Sequence, residues 1–370
     1  MTETGGFPAP GWQDRDPSRD ATYAGPPPTG PPTQPPGSMP YTPMRRTPMP
    51  QMPQMPMLTA YKPGIVPLRP LQLGDILDGA VKAVRFNPKS MIGLSVLVLA
   101  VFLIPSAALG VGVTHLMARA LNSLGPEAQG LLGIPSSLLQ IVSTTLATTL
   151  LSGLLIQVVG QAVLGRKPDI GQTWQATRGR LGSLLAVLIL SGLFGLVSMV
   201  VLIGPGVLLL FNGNNVAGVI LLLVGFLALV AVTVAFSTKI SLAAPAIVLE
   251  NHGAVAGLRR SFALTRGAAF WRVLGITLLA GLIAALVSSL LGLPFQLVGI
   301  GIAAVAGQDT ESGQLVVTLV SHLSALLSGA ITTPFVAAVT GLLYIDRRMR
   351  LEALDVVLIR EAQSNPAPRI

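Results

Sequence analysis

The chain's only imidazoles are His115, His252 and His322, and it has no cysteine. A metal centre needs several such donors to converge, and a thiolate nucleophile or a disulfide needs sulfur. The three histidines fall between two apolar runs, in a basic loop and inside the last apolar run, so they do not read as one ligand set. No G-x-S-x-G, P-loop or H-E-x-x-H occurs, and the glycine-rich stretches "GLLGIPSS" and "GPGVLLLFNGNN" lack the Lys and Ser/Thr of a phosphate loop. The expectation is a non-catalytic protein with no metal and no cofactor.

Two other sets of residues carry chemistry. The first lies inside apolar runs, where an ionisable or amide side chain is costly and marks a functional candidate. Gln157, Lys239 and His322 are those candidates, accompanied by Thr144, Thr145, Thr148, Thr149, Ser152 and Gln161 in one run and by Ser321, Ser324, Ser328, Thr332 and Thr333 in another. They would line a transport or lipid cavity, or else satisfy themselves on their own backbone and let helices pack closely. Lys239 has the further option of snorkelling to headgroups.

The second set is basic. The stretch "VLENHGAVAGLRRSFALTRGAAFWRVLG" concentrates Arg259, Arg260, Arg266 and Arg272 between two long apolar runs, and Arg178 occupies a similar place earlier. Arginines beside a bilayer attract anionic phospholipid headgroups by about 1 kcal/mol each. They also act as topology determinants. Nucleic acid is excluded as a partner, because the basic residues sit beside apolar runs without the interleaved aromatics that stack bases.

These residues need a membrane to position them. The chain is 51% hydrophobic and 11% charged, with a mean hydropathy of +0.69, too few charges to cover a soluble surface. Runs long enough to cross a bilayer lie at Met91 to Val113, Leu138 to Leu164, Ser183 to Phe211, Val216 to Phe236, Val273 to Ala304 and Leu315 to Ile345. The fold class is therefore all-α, a polytopic membrane protein of six transmembrane helices. Pro105, Pro205, Pro294 and Pro334 predict kinks, and the fifth run is expected to break at Pro294 into a spanning helix and a partly buried extension.

Orientation follows from Lys and Arg, which short loops retain on the cytoplasmic side. One set of segments holds Lys82, Arg85, Lys89, Arg166, Lys167, Arg178, Arg180, the four arginines above and Arg347, Arg348 and Arg350. The opposite set holds Arg119 alone, with Glu127, Asp309 and Glu311. That asymmetry predicts a cytoplasmic membrane protein with both termini inside.

Residues 1–66 form a separate region. Residues 1 to 70 contain 19 of the 30 prolines, and so polar and proline-rich a segment cannot bury enough apolar surface to order itself. It reads as a disordered cytoplasmic tail suited to a proline-recognising protein partner. Its "MPQMPQMPM" repeat would align Met49, Met52 and Met55 for Cu(I), against the plainer reading of a low-complexity tract. The membrane domain is placed at 67–362, with a short disordered tail at 363–370. No feature of the sequence encodes an oligomeric state.

Three amphipathic segments precede the spanning pairs. In "LGDILDGAVKAVRFNP", Leu73, Ile76, Leu77, Ala80 and Val84 share one face, and Asp78 and Lys82 are placed for an i, i+4 ion pair. In "DIGQTWQATRGRLG", Ile170, Trp174, Thr177 and Leu181 line up, and Asp169 with Gln172 has capping-box spacing. In the third, Val255, Leu258 and Phe262 make the apolar line. Three repeats of an interfacial helix and a helix pair follow, with Arg85, Arg178 and Arg266 at equivalent points, 93 and 88 residues apart. Such repeats either enclose a site at their interface or remain as a scaffold.

The segments "RPLQLGDILDGAVKAVRFNP", "LAAPAIVLENHGAVAGLRRSFALTRGAAFWRV" and "TTPFVAAVTGLLYIDRRMRLEALD" resemble signature stretches of a bacterial, largely actinobacterial, multi-pass family. That family is similar to the membrane domain that precedes the catalytic domain in some glycerophosphodiester phosphodiesterases. The resemblance implies a stand-alone membrane domain without phosphodiesterase activity. Taken together, the expected function is a scaffold or lipid-associated accessory component of the cell envelope, the alternative a small transporter or lipid flippase with a cavity between the repeats.

Overall fold

The computed structural model describes residues 64–121, 133–307 and 310–352. The methionine repeat, most of the proline-rich tail, Glu127, Asp309 and the C-terminal tail lie outside the described residues. Those described are helical, without a strand, and six helices are long and apolar enough to span a membrane.

Helix α1 (Leu73–Phe86) leads into α2 (Pro88–Leu121), and α3 (Gly133–Val163) follows. Then come the short α4 (Ile170–Thr177), a single 3-10 turn at Arg178–Arg180, and the pair α5 (Leu181–Phe211) and α6 (Asn215–Ile240). Two short helices, α7 (Ala243–Leu249) and α8 (Ala254–Leu264), precede the last pair, α9 (Ala268–Ala306) and α10 (Glu311–Glu352). The order of short helix then spanning pair thus occurs three times. Arg85 falls in the last turn of α1, Arg178 just after α4 and Arg266 just after α8, each at the join to a spanning helix.

The local chemistry of the short helices accounts for where they start. Asp169 accepts the Gln172 N–H at 2.6 Å, and the Gln172 side chain accepts the Asp169 N–H at 3.3 Å, so two orphan donors of α4 are satisfied reciprocally. Asp78 and Lys82 pair along the outer side of α1. The apolar side of α1 does not face lipid: Ile76, Ala80 and Ala83 are buried, and Gly79 lets the helix approach Leu342 of α10 and Val66. Helix α8, by contrast, turns its bulky apolar line away from the bundle. Its buried side is Gly257, Ser261 and Leu264, while Val255 and Phe262 are exposed. The small residues permit close approach to α7, where a Gly257 side chain would strike Ile247, and the bulky apolar line is left for the bilayer.

The core is built around α10, which is buried almost all round from Ala337 to Ile345. Leu71, Ile76, Met91, Leu99, Leu151, Leu155 and Val159 pack there from α1, α2, α3 and the segment before α1. The pair α5 and α6 differs. It packs chiefly on itself, through Gly206, Gly218 and Gly225 and a stacked Phe194–Phe236 pair at 3.8 Å, and leaves Leu193, Leu196, Val200, Ile220, Leu223 and Leu227 exposed. A soluble protein could not carry such a surface, but lipid chains solvate it at no cost.

Helix α9 runs unbroken through Pro294, contrary to the break expected there. A proline removes one backbone hydrogen bond, which a membrane helix tolerates while its neighbours hold it. At 1.5 Å per residue α9 would reach about 58 Å, nearly twice a hydrocarbon core of about 30 Å. It therefore tilts or projects beyond the apolar layer.

Candidate functional site

Two ion-pair clusters occupy the end of the bundle that carries the basic residues. In the first, the fully buried Asp346 of α10 accepts the Leu71 N–H at 2.8 Å, an Arg272 guanidinium nitrogen at 3.1 Å and Arg350 Nε at 2.8 Å. The Leu71 carbonyl in turn accepts from Arg272 and from Arg350, each at 2.7 Å. One carboxylate and one peptide unit thus join the segment before α1 to the start of α9 and the end of α10. Beside them Arg347 donates to the Leu264 carbonyl at 3.1 Å, closing the end of α8.

The second cluster centres on Glu250, placed between α7 and α8 by the left-handed Asn251 (φ 58°) that follows it. Its carboxylate receives Arg260 at 3.1 and 3.2 Å and Arg348 at 3.0 Å, lies 2.9 Å from His252 Nε2, and accepts the Tyr344 hydroxyl. Glu352 bridges the same two arginines. Burial pushes the Glu250 carboxyl up, but the bonds from Tyr344, Arg260 and Arg348 outweigh it and hold the pKa below the ordinary value. The Arg260 guanidinium, despite burial, is raised by Glu250 and Glu352.

These clusters divide the five candidate arginines. Arg260 and Arg272 are committed to carboxylates of the protein. Of the five, Arg178, Arg259 and Arg266 are exposed and make no ion pair among the described residues, so these three turn their charge outward. Glu250 and Tyr344 are not among the candidates the sequence offers, and Asp346 enters there only within the Asp346-Arg347-Arg348 stretch of the family resemblance. The available signal is carboxylates set among the arginines of otherwise basic segments.

The intramembrane candidates separate in the same way. His322 is buried, with Nε2 3.1 Å from the Ser106 hydroxyl of α2 and Nδ1 2.7 Å from its own helix's Thr318 carbonyl. Lys239 caps the Thr265 carbonyl at 3.0 Å and lies 5.2 Å from the Phe270 ring centroid, tying α6 to the end of α8. Gln157 lines a different space altogether.

That space is a polar pocket of about 440 Å³ beside α4, lined by Gln157, Gln161, Arg166, Lys167, Gln172 and Thr173. Its rim is fixed: Asn87 and Ser90 at the start of α2 both donate to the Pro168 carbonyl, at 2.8 and 2.7 Å. On the other side of α4, Ile170 and Trp174 join Leu94, Val98, Leu150 and Leu154 around an almost wholly apolar groove of about 630 Å³. One short helix therefore separates a basic, amide-rich pocket from a groove with the character of an acyl chain.

A third cavity, about 500 Å³, lies where α3, α6, α9 and α10 converge. Helix α3 contributes Thr148 and Ser152, α6 contributes Ser237 and Thr238 with Ser241 just beyond it, α9 contributes Thr277, and α10 contributes Thr332, Thr333 and Thr340. Ile156, Val234, Ala244, Leu278, Val336 and Ala337 complete the walls, and no charged side chain lines it. Neither Gln157 nor His322 reaches it. Among the described residues no cluster of His, Asp and Glu is placed to hold a metal ion.

Comparison with known proteins adds a family. No curated protein and no solved structure matches the chain. Residues 71–342 match the family model described as "Domain of unknown function (DUF7847)". That stretch begins at the Leu71 peptide gripped by Asp346 and extends into the buried half of α10, well over half of the sequence, so the chain belongs to the DUF7847 family.

Proposed function

We propose that this protein is a non-catalytic, lipid-associated component of a bacterial cytoplasmic membrane, with both termini on the cytoplasmic side, holding an anionic phospholipid of the inner leaflet at α4. The observation that carries this reading is the pairing on one helix of the basic, amide-lined pocket and the apolar groove. A phospholipid has the same two-part character, an anionic head joined to chains that require apolar walls. Trp174, which lines the groove, is a residue type enriched at membrane interfaces. The basic asymmetry of the loops supports the orientation, and the role in lipid biology rests on the resemblance read from the three sequence segments.

The test is native mass spectrometry of the full chain, gently extracted from its own membrane, with lipidomics of what stays bound. One anionic class at fixed stoichiometry, reduced in a Lys167→Gln, Gln157→Ala double variant, is the expected result. A mixture matching the bulk membrane in both proteins would dismiss the α4 site and leave the scaffold role, with a partner of the proline-rich tail as the next object of search.

A second reading, a small transporter or flippase, is favoured by the hydroxyl-lined cavity alone. Vesicles containing the protein that move labelled lipid or solute no faster than empty vesicles would remove it.

A further inference from the structure

The cavity between α3, α6, α9 and α10 has a hydrogen-bonding character that its composition does not reveal. A threonine or serine hydroxyl has one proton and two lone pairs. Here eight of the nine lining hydroxyls already place their protons, Thr333 being the exception. Thr148 donates to the Thr144 carbonyl at 2.8 Å, Thr238 to Val234 at 2.8 Å and Thr277 to Val273 at 2.8 Å. Thr332 donates to Ser328 at 2.9 Å and Thr340 to Val336 at 2.9 Å. Each is a bond to the residue's own helix, the usual arrangement for hydroxyls in membrane helices. What these side chains offer the cavity is therefore lone pairs. Thr333 apart, this wall of Ser and Thr acts as a wall of acceptors.

An occupant that satisfies acceptors must bring donors, which narrows its chemistry. Anionic heads such as phosphate or carboxylate carry acceptors only and would meet acceptors. A cation would find oxygen atoms but no counter-charge, since no carboxylate lines the cavity. An uncompensated charge at membrane depth is costly. An uncharged group bearing several hydroxyls meets neither penalty. The apolar part of the lining, Ile156, Val234, Leu278 and Val336, suits a chain or ring face attached to it, and about 500 Å³ falls in the range of small-molecule sites.

Access is available from the side. Helix α6 forms one wall, and the α5–α6 pair rests on the remaining helices chiefly near the basic end, through Leu184 against Ile156 and Val248, while most of its surface is free. The floor is the break between α6 and α7. There the Leu242 N–H is satisfied by the Ser261 hydroxyl at 3.2 Å, which itself donates to the Lys239 carbonyl at 2.6 Å. The turn below the cavity is thus tied to α8 through Ser261.

We propose that this cavity binds an uncharged, multiply hydroxylated group, either the head of a membrane amphiphile or a free polyol or sugar, through acceptor oxygens on α3, α6, α9 and α10. The site is separate from the α4 pocket and stands whether or not that pocket holds a phospholipid. The experiment uses the full chain in phosphatidylcholine nanodiscs and two photoreactive probes with the same diazirine-bearing alkyl chain. One has a glucoside head, rich in donors, and the other a phosphocholine head, which has none. The glucoside probe should label α3 between residues 148 and 156 and α10 between 332 and 340, and the phosphocholine probe should not. Replacing Thr148, Thr332 and Thr340 together by valine removes three acceptors and keeps the shape, and should lower that labelling by about fivefold or more. Competition by glucose identifies a soluble occupant, and competition by unlabelled dodecyl glucoside alone identifies an amphiphile; both support the proposal. Equal labelling of these segments by the two probes on the wild-type chain would overturn it, as would unchanged labelling in the valine variant.

Discussion

Arg272, at the start of α9, places one guanidinium nitrogen 3.1 Å from the Asp346 carboxylate and 2.7 Å from the Leu71 carbonyl, so a single side chain closes a contact between residues 201 positions apart. Asp346 is fully buried and Arg350 meets it from the other side. The family match begins at Leu71, the residue this arrangement holds. Positively charged residues read from sequence as headgroup contacts are here a lock on the fold.

Removing the carboxylate should therefore cost far more than removing one arginine. Asp346→Ala leaves two guanidinium groups facing each other in a partly buried site and frees the Leu71 N–H, a loss of roughly 3 kcal/mol or more. Asp346→Asn keeps an acceptor for that N–H and should fall between the variant and the wild type. Thermal unfolding in detergent by tryptophan fluorescence measures the order; equal midpoints for all three proteins would show that the lock contributes nothing.

The α5–α6 pair depends on contact of backbone with backbone. A side-chain carbon at Gly225 would lie 2.0 Å from the Leu202 carbonyl oxygen, whereas at Gly192, one helix away, nothing lies within 4 Å. Gly225→Ala should destabilise by about 2 kcal/mol through overpacking, and Gly192→Ala should be neutral or raise the midpoint, since alanine is the better helix former. A cysteine pair introduced at the α5–α6 contact should crosslink more slowly in the Gly225→Ala background, and unchanged crosslinking would argue against the close approach.

How far the sequence could be read depended on whether the information was local. The six spans were legible because each is a continuous apolar run. The Asp169–Gln172 capping box and the Asp78–Lys82 pair were legible because both partners lie within one helical turn. Helix α7 was not, since Ala243 to Leu249 is uniformly apolar and merges with the run before it. The clusters at Glu250 and Asp346 were not, because Leu71 and Asp346 are 275 positions apart. The cavity lay between these extremes. Thr148, Ser152, Thr332 and Thr333 stood out in two polar-studded runs, but Ser237, Thr238 and Thr277 are few within theirs and gain meaning only by convergence.

The Glu250 cluster gives a pH dependence whose sign is set by the direction of the shift. The carboxyl's folded pKa lies below its ordinary value of 4.5, so the folded state favours the charged form. The stabilisation is fully present above pH 4.5 and is lost as the pH falls through the lower folded value. The difference in unfolding midpoint between wild type and Glu250→Gln should therefore be constant near neutrality and shrink under acid conditions. A difference that grew on acidification would mean that burial, and not Arg260 and Arg348, governs this carboxyl.

His322 and Ser106 join α10 to α2 through one hydrogen bond between buried side chains, 3.1 Å long, while the second ring nitrogen is held by the Thr318 carbonyl at 2.7 Å. With both nitrogens committed and the hydroxyl-lined cavity elsewhere, the histidine's measurable contribution should be to helix association. Hydrogen bonds of this kind in membrane proteins contribute about 0.6 kcal/mol on average. A double-mutant cycle with His322→Ala and Ser106→Ala should return a coupling energy of about that size. The same His322→Ala protein, folded in nanodiscs, should retain full labelling of the cavity by the glucoside probe. A coupling near zero together with lost labelling would instead place the histidine on the path of a ligand, and would return it to the role its position in an apolar run first implied.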